Sequence, residues 1–196
     1  MVIVVGMVEM VLALAESDCE RLHPGWLAQP ANAVSSLAYV AVGAWLLRQS
    51  RRSGVDLDRP GLIAAGFAMV GVGLGSLTYH GPQPGWASLV HDVGVWSLAV
   101  VIIVQQLRVL SRPATRGAAV IAWRSAAPWM APALAAYVAG RAGSRFCHPS
   151  SLWQFHGLWH LLSAVALGLL VYRSADATKC GRATGVSRRP HCRGFR

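Results

Sequence analysis

Apolar and polar positions divide the chain into five long apolar runs joined by short polar stretches. The runs cover 33–47 (AVSSLAYVAVGAWLL), 61–79 (GLIAAGFAMVGVGLGSLTY), 86–110, 117–140 and 151–172. A membrane-spanning helix needs about 20 apolar residues; the first run is short of that but extends back over Ala31 and Asn32. The fourth contains Pro128 and Pro132 as well as Arg124, and is expected to kink. A loop of Ser, Arg, Asp and Pro, residues 50–60, separates the first two runs. The pattern shows no repeat and no second domain. It predicts an all-α, polytopic transmembrane helix bundle of about five spans. Three parts follow: an N-terminal apolar and leading segment (1–30), a transmembrane domain (31–173) and a basic tail (174–196) expected to be disordered.

The first fifteen residues, MVIVVGMVEMVLALA, are apolar apart from Glu9. They lack the basic start of a signal peptide and are short for a span. The pattern leaves them open between an interfacial helix and a sixth span.

Composition supports the membrane reading. Of 196 residues, 54% are hydrophobic and 13% charged, whereas soluble domains carry roughly 25% charged residues. The net charge of +10 raises the question of nucleic acid, but the basic residues lie between and after the apolar runs. Seven of the 18 fall within 173–196. Such a tail is a topology signal or a contact for anionic lipid rather than a nucleic-acid reader. Arginine outnumbers lysine 17 to 1, a bias of GC-rich bacterial genomes, so the expected location is a bacterial plasma membrane.

The basic residues also orient the spans. Arg48, Arg51, Arg52 and Arg59 lie between the first two runs; Arg108, Arg112 and Arg116 follow the third; Arg173 and the tail follow the fifth. With five spans these clusters share one side, cytoplasmic by the positive-inside rule. Arg141 and Arg145 are a minority on the other side. The N-terminus, with Asp18 and Glu20, is then outside and the C-terminus inside.

This topology brings polar residues of three spans to one depth. His80 ends the second run, Asp92 begins the third, and His156 and His160 lie in the first half of the fifth. Ser76 lies one turn before His80, and residues four apart share a helix face. Asp92 is the only acidic residue between Arg59 and Asp176; a lone carboxylate in or near a bilayer is by default a functional-site candidate. Three neutral imidazoles can hold zinc and leave a fourth position for water, whose pKa then falls to about 7. His91 is an alternative ligand to His80. A helix-bracing histidine pair and an axial haem ligand set are the competing readings. Haem would need ligands on opposite sides of a plane, yet His156 and His160 share a face. His23, His148 and His191 fall in loops or the tail.

The segments GVGLGSLTYH (71–80), HDVGVW (91–96) and QFHGLWH (154–160) resemble the alkaline ceramidase family. That family belongs to a superfamily with the progestin and adiponectin receptors, haemolysin III-like proteins and GPI-remodelling hydrolases. The shared pattern is Ser-x3-His, then Asp, then His-x3-His, here Ser76, His80, Asp92, His156 and His160. SDCERLHPGWLAQPANAVSSLAYV (17–40) is similar to the segment leading into the first ceramidase helix, with Cys19-Glu20 and Asn32 to Ser35 fitting its pattern.

The resemblance covers most of 17–172. It implies a zinc-dependent hydrolase of linear amide bonds acting on ceramide or a related N-acyl lipid. Zinc would be held by His80, His156 and His160, with Asp92 as general base and then acid, and Ser76 as a hydrogen-bond partner of the developing oxyanion. It further implies a disulfide from the leading segment to the loop before the last span, so from Cys19 to Cys147. Cys180 and Cys192 are expected as free thiols. A calcium ion on acids of the leading segment is also implied, to which Asp18 and Glu20 would contribute, but Gln29 stands where a further acid is expected. Family members usually have seven spans, and only about 60 residues separate Asp92 from His156, so two helices are missing. The receptor-like and haemolysin III-like branches supply the alternative, a non-catalytic protein with a structural zinc site.

Overall fold

The computed structural model describes residues 18–52 and 58–183, the last seven of these as backbone helix only. The apolar segment 1–15, the tail beyond 183, Cys192 and the side chain of Cys180 lie outside the described residues. The described chain is an all-α bundle of α1 (Pro30–Ser35), α2 (Leu37–Arg52), α3 (Arg59–His80), α4 (Ala87–Leu110), α5 (Arg116–Ala139) and α6 (Phe155–Ala183), with a 3-10 turn at Pro113–Thr115. Four stretches are long and apolar enough to cross a membrane: Pro30–Arg52, Arg59–His80, Ala87–Leu110 and Phe155–Asp176. α5 has the length, 24 residues, but its two arginines and scattered polar residues leave it less apolar than the other four. It runs unbroken through Pro128 and Pro132.

One boundary differs from expectation. The apolar run ends at Tyr172, but α6 continues to Ala183. Ser174 and Ala175 are fully buried, and the Gln106 amide on α4 donates to Ser174 Oγ at 2.9 Å. The polar composition just after 172 therefore marks a continuation of the helix, packed at Ser174 and Ala175.

Local sequence explains the helix starts. Pro60 occupies the first turn of α3, where its missing N–H costs nothing, and the Asp58 carboxylate caps the Gly61 N–H. α1 begins with Pro30 and has no cap from its own Gln29 side chain. Instead Glu20, eleven and twelve residues earlier, accepts the Ala31 and Asn32 N–H groups at 2.8 Å each. A carboxylate there matches the positive end of a helix.

The bundle packs in the order α2, α3, α4 on one side and α5 on the other, with α6 touching every other helix. Tyr39, Leu46, Leu62, Met69, Leu98, Ala164 and Val171 form the central core. Small residues let the backbones close in, as in membrane bundles: a Cβ at Gly73 would lie 3.0 Å from the Ser36 carbonyl oxygen, so α3 rides directly over the start of α2. The buried residues of α4 include Ala87, Gly94, Leu98, Gln105 and Val109, a heptad-like seam. The opposite side of α4, including Leu89, Val93, Val100 and Leu107, is exposed, which suits a lipid-facing surface. Although consecutive, α4 and α5 barely touch.

The leading segment 18–29 crosses one end of the bundle. Cys19 N–H donates to Gly140 O at 2.9 Å, Arg21 N–H to Pro149 O at 3.0 Å, Ala28 N–H to Gly81 O at 3.0 Å and Gln29 N–H to His80 O at 2.8 Å. Cys19 and Cys147, 128 residues apart, are joined by a disulfide. The pairing implied by the family resemblance is the one formed.

Candidate metal centre

Beneath this crossing segment, the last residue of α3 meets the first turns of α6. His80, His156 and His160 are all buried and offer ligand atoms within 4.8 Å of one another. Their ring centroids are separated by 5.1 Å (His80–His156), 5.4 Å (His80–His160) and 4.7 Å (His156–His160). His156 and His160 share a face because they are one turn apart. α5 approaches this turn closely: a Cβ on Gly140 would fall 2.5 Å from the His156 backbone nitrogen, so only glycine allows the end of α5 to seat there.

Each ring turns its Nδ1 toward the stretch 18–35. His80 Nδ1 lies 2.6 Å from Gln29 Oε1, and the Gln29 amide nitrogen is committed to the Glu20 carbonyl at 2.9 Å. The oxygen therefore faces the ring, and Nδ1 carries the hydrogen. His156 Nδ1 lies 3.0 Å from Asp18 Oδ1; the approach is that of an ion pair, off the line of a well-directed hydrogen bond. The other Asp18 oxygen is 3.8 Å from His80 Nδ1. His160 Nδ1 lies 3.0 Å from Ser35 Oγ. Ser35 donates its own hydrogen to the Asn32 carbonyl at 2.9 Å, so the ring N–H donates to Ser35.

The donor set fits a metal ion. With Nδ1–H committed in His80 and His160, each of these rings keeps a lone pair on Nε2. His80 Nε2 is buried with no hydrogen-bond partner among the described residues, a state that costs about 1–3 kcal/mol unless something accepts the lone pair. Converging imidazole lone pairs cannot satisfy one another, whereas a divalent cation can accept them. Imidazole ligands suit zinc, copper, iron and nickel alike, so the cluster is a metal-binding candidate without choosing the metal.

The remaining predicted residues take different places. Ser76 is buried; its hydroxyl lies 2.9 Å from Ser36 Oγ, which also reaches the Asn32 carbonyl at 2.8 Å, and 3.5 Å from His160 Nε2. Asp92 stands outside the histidine group. It pairs with His91 Nδ1 at 2.9 Å, and its side chain is 49% exposed. His91, the alternative ligand, is likewise outside the group, its ring centroid 6.4 Å from that of His80. Asp18 and Glu20 are not gathered round a common point: Asp18 faces histidines, and both Glu20 oxygens are taken by the start of α1.

The cluster lies in the wall of a cavity of about 650 Å³, opened by the separation of α4 from α5. Its polar end holds Asp18, Ser76, the three histidines, His91, Asp92 and Arg141; its apolar part is lined by Val72, Val95, Leu98, Ile102, Ile103 and Leu167. A cleft is thus present in a bundle shorter than seven spans.

Sequence reasoning missed the residues that orient the rings. Gln29 reads as a departure from an acidic pattern, Asp18 as a calcium candidate and Ser35 as part of a helix start. The one available signal was that all three lie in the segment that the topology places at the histidine end. Comparison of the chain with protein-family models, curated proteins and solved structures finds no match.

Proposed function

We propose that this chain is a membrane-embedded, zinc-dependent amide hydrolase of the alkaline ceramidase type, acting on ceramide or a related N-acyl lipid. The observation that carries the reading is the placement of three buried imidazoles, with ligand atoms within 4.8 Å of one another, at the polar end of an otherwise apolar cavity. An acyl chain fits among Leu98, Ile102 and Leu167 while the amide stays at the histidines. When bound, zinc supplies a Lewis acid for the amide carbonyl and a lowered pKa for water.

The chain's own groups do the rest. The apolar wall excludes bulk water and fixes the acyl chain, which orients the amide. Ser76, 3.5 Å from His160 Nε2, is placed to donate its O–H to the oxygen on which negative charge develops. Asp92 reaches the cavity from α4, steadied by His91. It accepts a proton from water and returns it to the leaving amine.

A second reading, a metal that braces α3 against α6 without catalysis, is favoured by one observation: the exposed pairing of Asp92 with His91 outside the ligand group. Purified protein given a long-chain ceramide in mixed micelles separates the two. Fatty acid released with zinc, and absent after chelation and in His80→Ala, supports the hydrolase. Zinc-loaded protein that releases none from any N-acyl lipid tested leaves the bracing role.

A further inference from the structure

We infer that the leading segment is a clasp that sets metal affinity, with Asp18, Gln29 and Ser35 as positioning residues for His156, His80 and His160. The inference rests on the metal-centre part of the reading above and not on hydrolysis. A neutral imidazole exists as two tautomers and turns about its side-chain bonds; only one tautomer in one orientation presents Nε2 to the cluster centre. A partner that accepts from Nδ1–H selects that state before the ion arrives. Here the groups facing all three Nδ1 atoms, acceptors for His80 and His160 and a carboxylate at ion-pair distance for His156, come from one stretch of chain, 18–35, and none from the helices that carry the histidines.

That stretch is anchored independently of any metal. The disulfide Cys19–Cys147 ties down the residue after Asp18, and the Glu20 carboxylate caps α1. The same Glu20 offers its carbonyl to Gln29, so the clasp is internally braced. The acceptors are not equivalent. Asp18 is a carboxylate whose side chain is only 6% exposed, and it lies on the Nδ1 side of both His156 and His80. It adds a negative charge that offsets a dication where the dielectric is low. Gln29 supplies orientation without charge, and Ser35 a weaker neutral acceptor. Affinity is therefore expected to depend on Asp18 most, Gln29 next and Ser35 least.

The test is zinc affinity, measured by chelator competition on detergent-solubilised full-length protein, with cobalt as a second probe whose visible spectrum reports ligand geometry. Loss of such a partner typically weakens metal binding about 10–100-fold. Asp18→Ala is expected near the top of that range. Asp18→Asn, which keeps an acceptor oxygen but not the charge, is expected near the bottom, Gln29→Ala between them and Ser35→Ala below all three. Melting of the metal-free forms separates positioning from bracing: positioning variants change affinity and the cobalt spectrum while the metal-free melting temperature holds. Parental affinity in both Asp18→Ala and Gln29→Ala overturns the inference, as does loss of affinity that tracks a fall in metal-free stability. Parent protein that takes up neither metal overturns the clasp and the metal centre together. Zinc bound in the expected order with no lipid hydrolysis upholds the clasp and removes only the amidase.

Discussion

The two ends of the bundle both bury polar side chains between helices, yet they use them differently. At the end remote from the histidines, Gln105 and Gln106 on α4 donate to α6, to the Val171 carbonyl at 3.3 Å and the Ser174 hydroxyl at 2.9 Å. These bonds are pairwise and join one helix to another. At the histidine end, three groups of one kind converge from two helices; the outward nitrogens of His80 and His160 are hydrogen-bonded and that of His156 faces the Asp18 carboxylate. What remains is a set of lone pairs pointing at one another. Pairwise polar contacts are the adhesive of a membrane bundle. Convergent lone pairs hold nothing together until a cation is present.

The largest break in this comparison is His80→Ala. Removing one of three convergent ligands is expected to take bound zinc from about one per chain to none and to abolish turnover, read by elemental analysis beside fatty-acid release. Retained stoichiometric zinc would show that the ion sits elsewhere.

Next comes Asp92→Asn. If the hydrolytic reading holds, zinc stays bound while the rate falls by roughly 10²–10⁴-fold, the usual worth of a positioned acid–base group. Unchanged turnover would relieve Asp92 of that role.

Opening the Cys19–Cys147 bridge, by reductant or by paired serine substitutions, is expected to destabilise the fold by about 2–4 kcal/mol. Thermal melts with and without reductant check this. Zinc should leave faster from the reduced protein, because Asp18 adjoins Cys19; equal off-rates would uncouple the bridge from the cluster.

The smallest effect is expected at the other end. Gln106→Leu should cost about 0.6–2 kcal/mol, the range for a single interhelical hydrogen bond in a membrane protein, and leave zinc affinity untouched. A change in zinc affinity there would mean that the ends are not independent.

Much of the bundle was legible because hydropathy is a one-dimensional property of the chain. Long apolar runs cannot leave backbone groups unsatisfied in hydrocarbon, so they become helices, and the runs at 61–79 and 86–110 map onto α3 and α4 almost residue for residue. The exceptions have physical causes. α6 outran its apolar stretch because Ser174 and Ala175 are buried by packing, which hydropathy does not see. α5 packs on α6 through a stripe of alanines, Ala119, Ala122, Ala126, Ala133 and Ala136, and such small-residue packing does not require a strongly apolar composition.

What the sequence by itself determined is the set of helices and the candidate ligands. Spacing of four residues places His156 and His160 on one face whatever surrounds them, and alternating spans bring His80 to the same end. What only the tertiary structure decided is the orientation of those ligands: His80 rather than His91, Asp18 and Gln29 behind the rings, and Asp92 turned to His91 at the cavity wall. Helix periodicity is a local consequence of backbone geometry. The tautomer and aim of an imidazole depend on atoms that the chain brings near from 50 to 140 residues away, as with Gln29 and His80 or Asp18 and His156, and no local rule encodes that meeting.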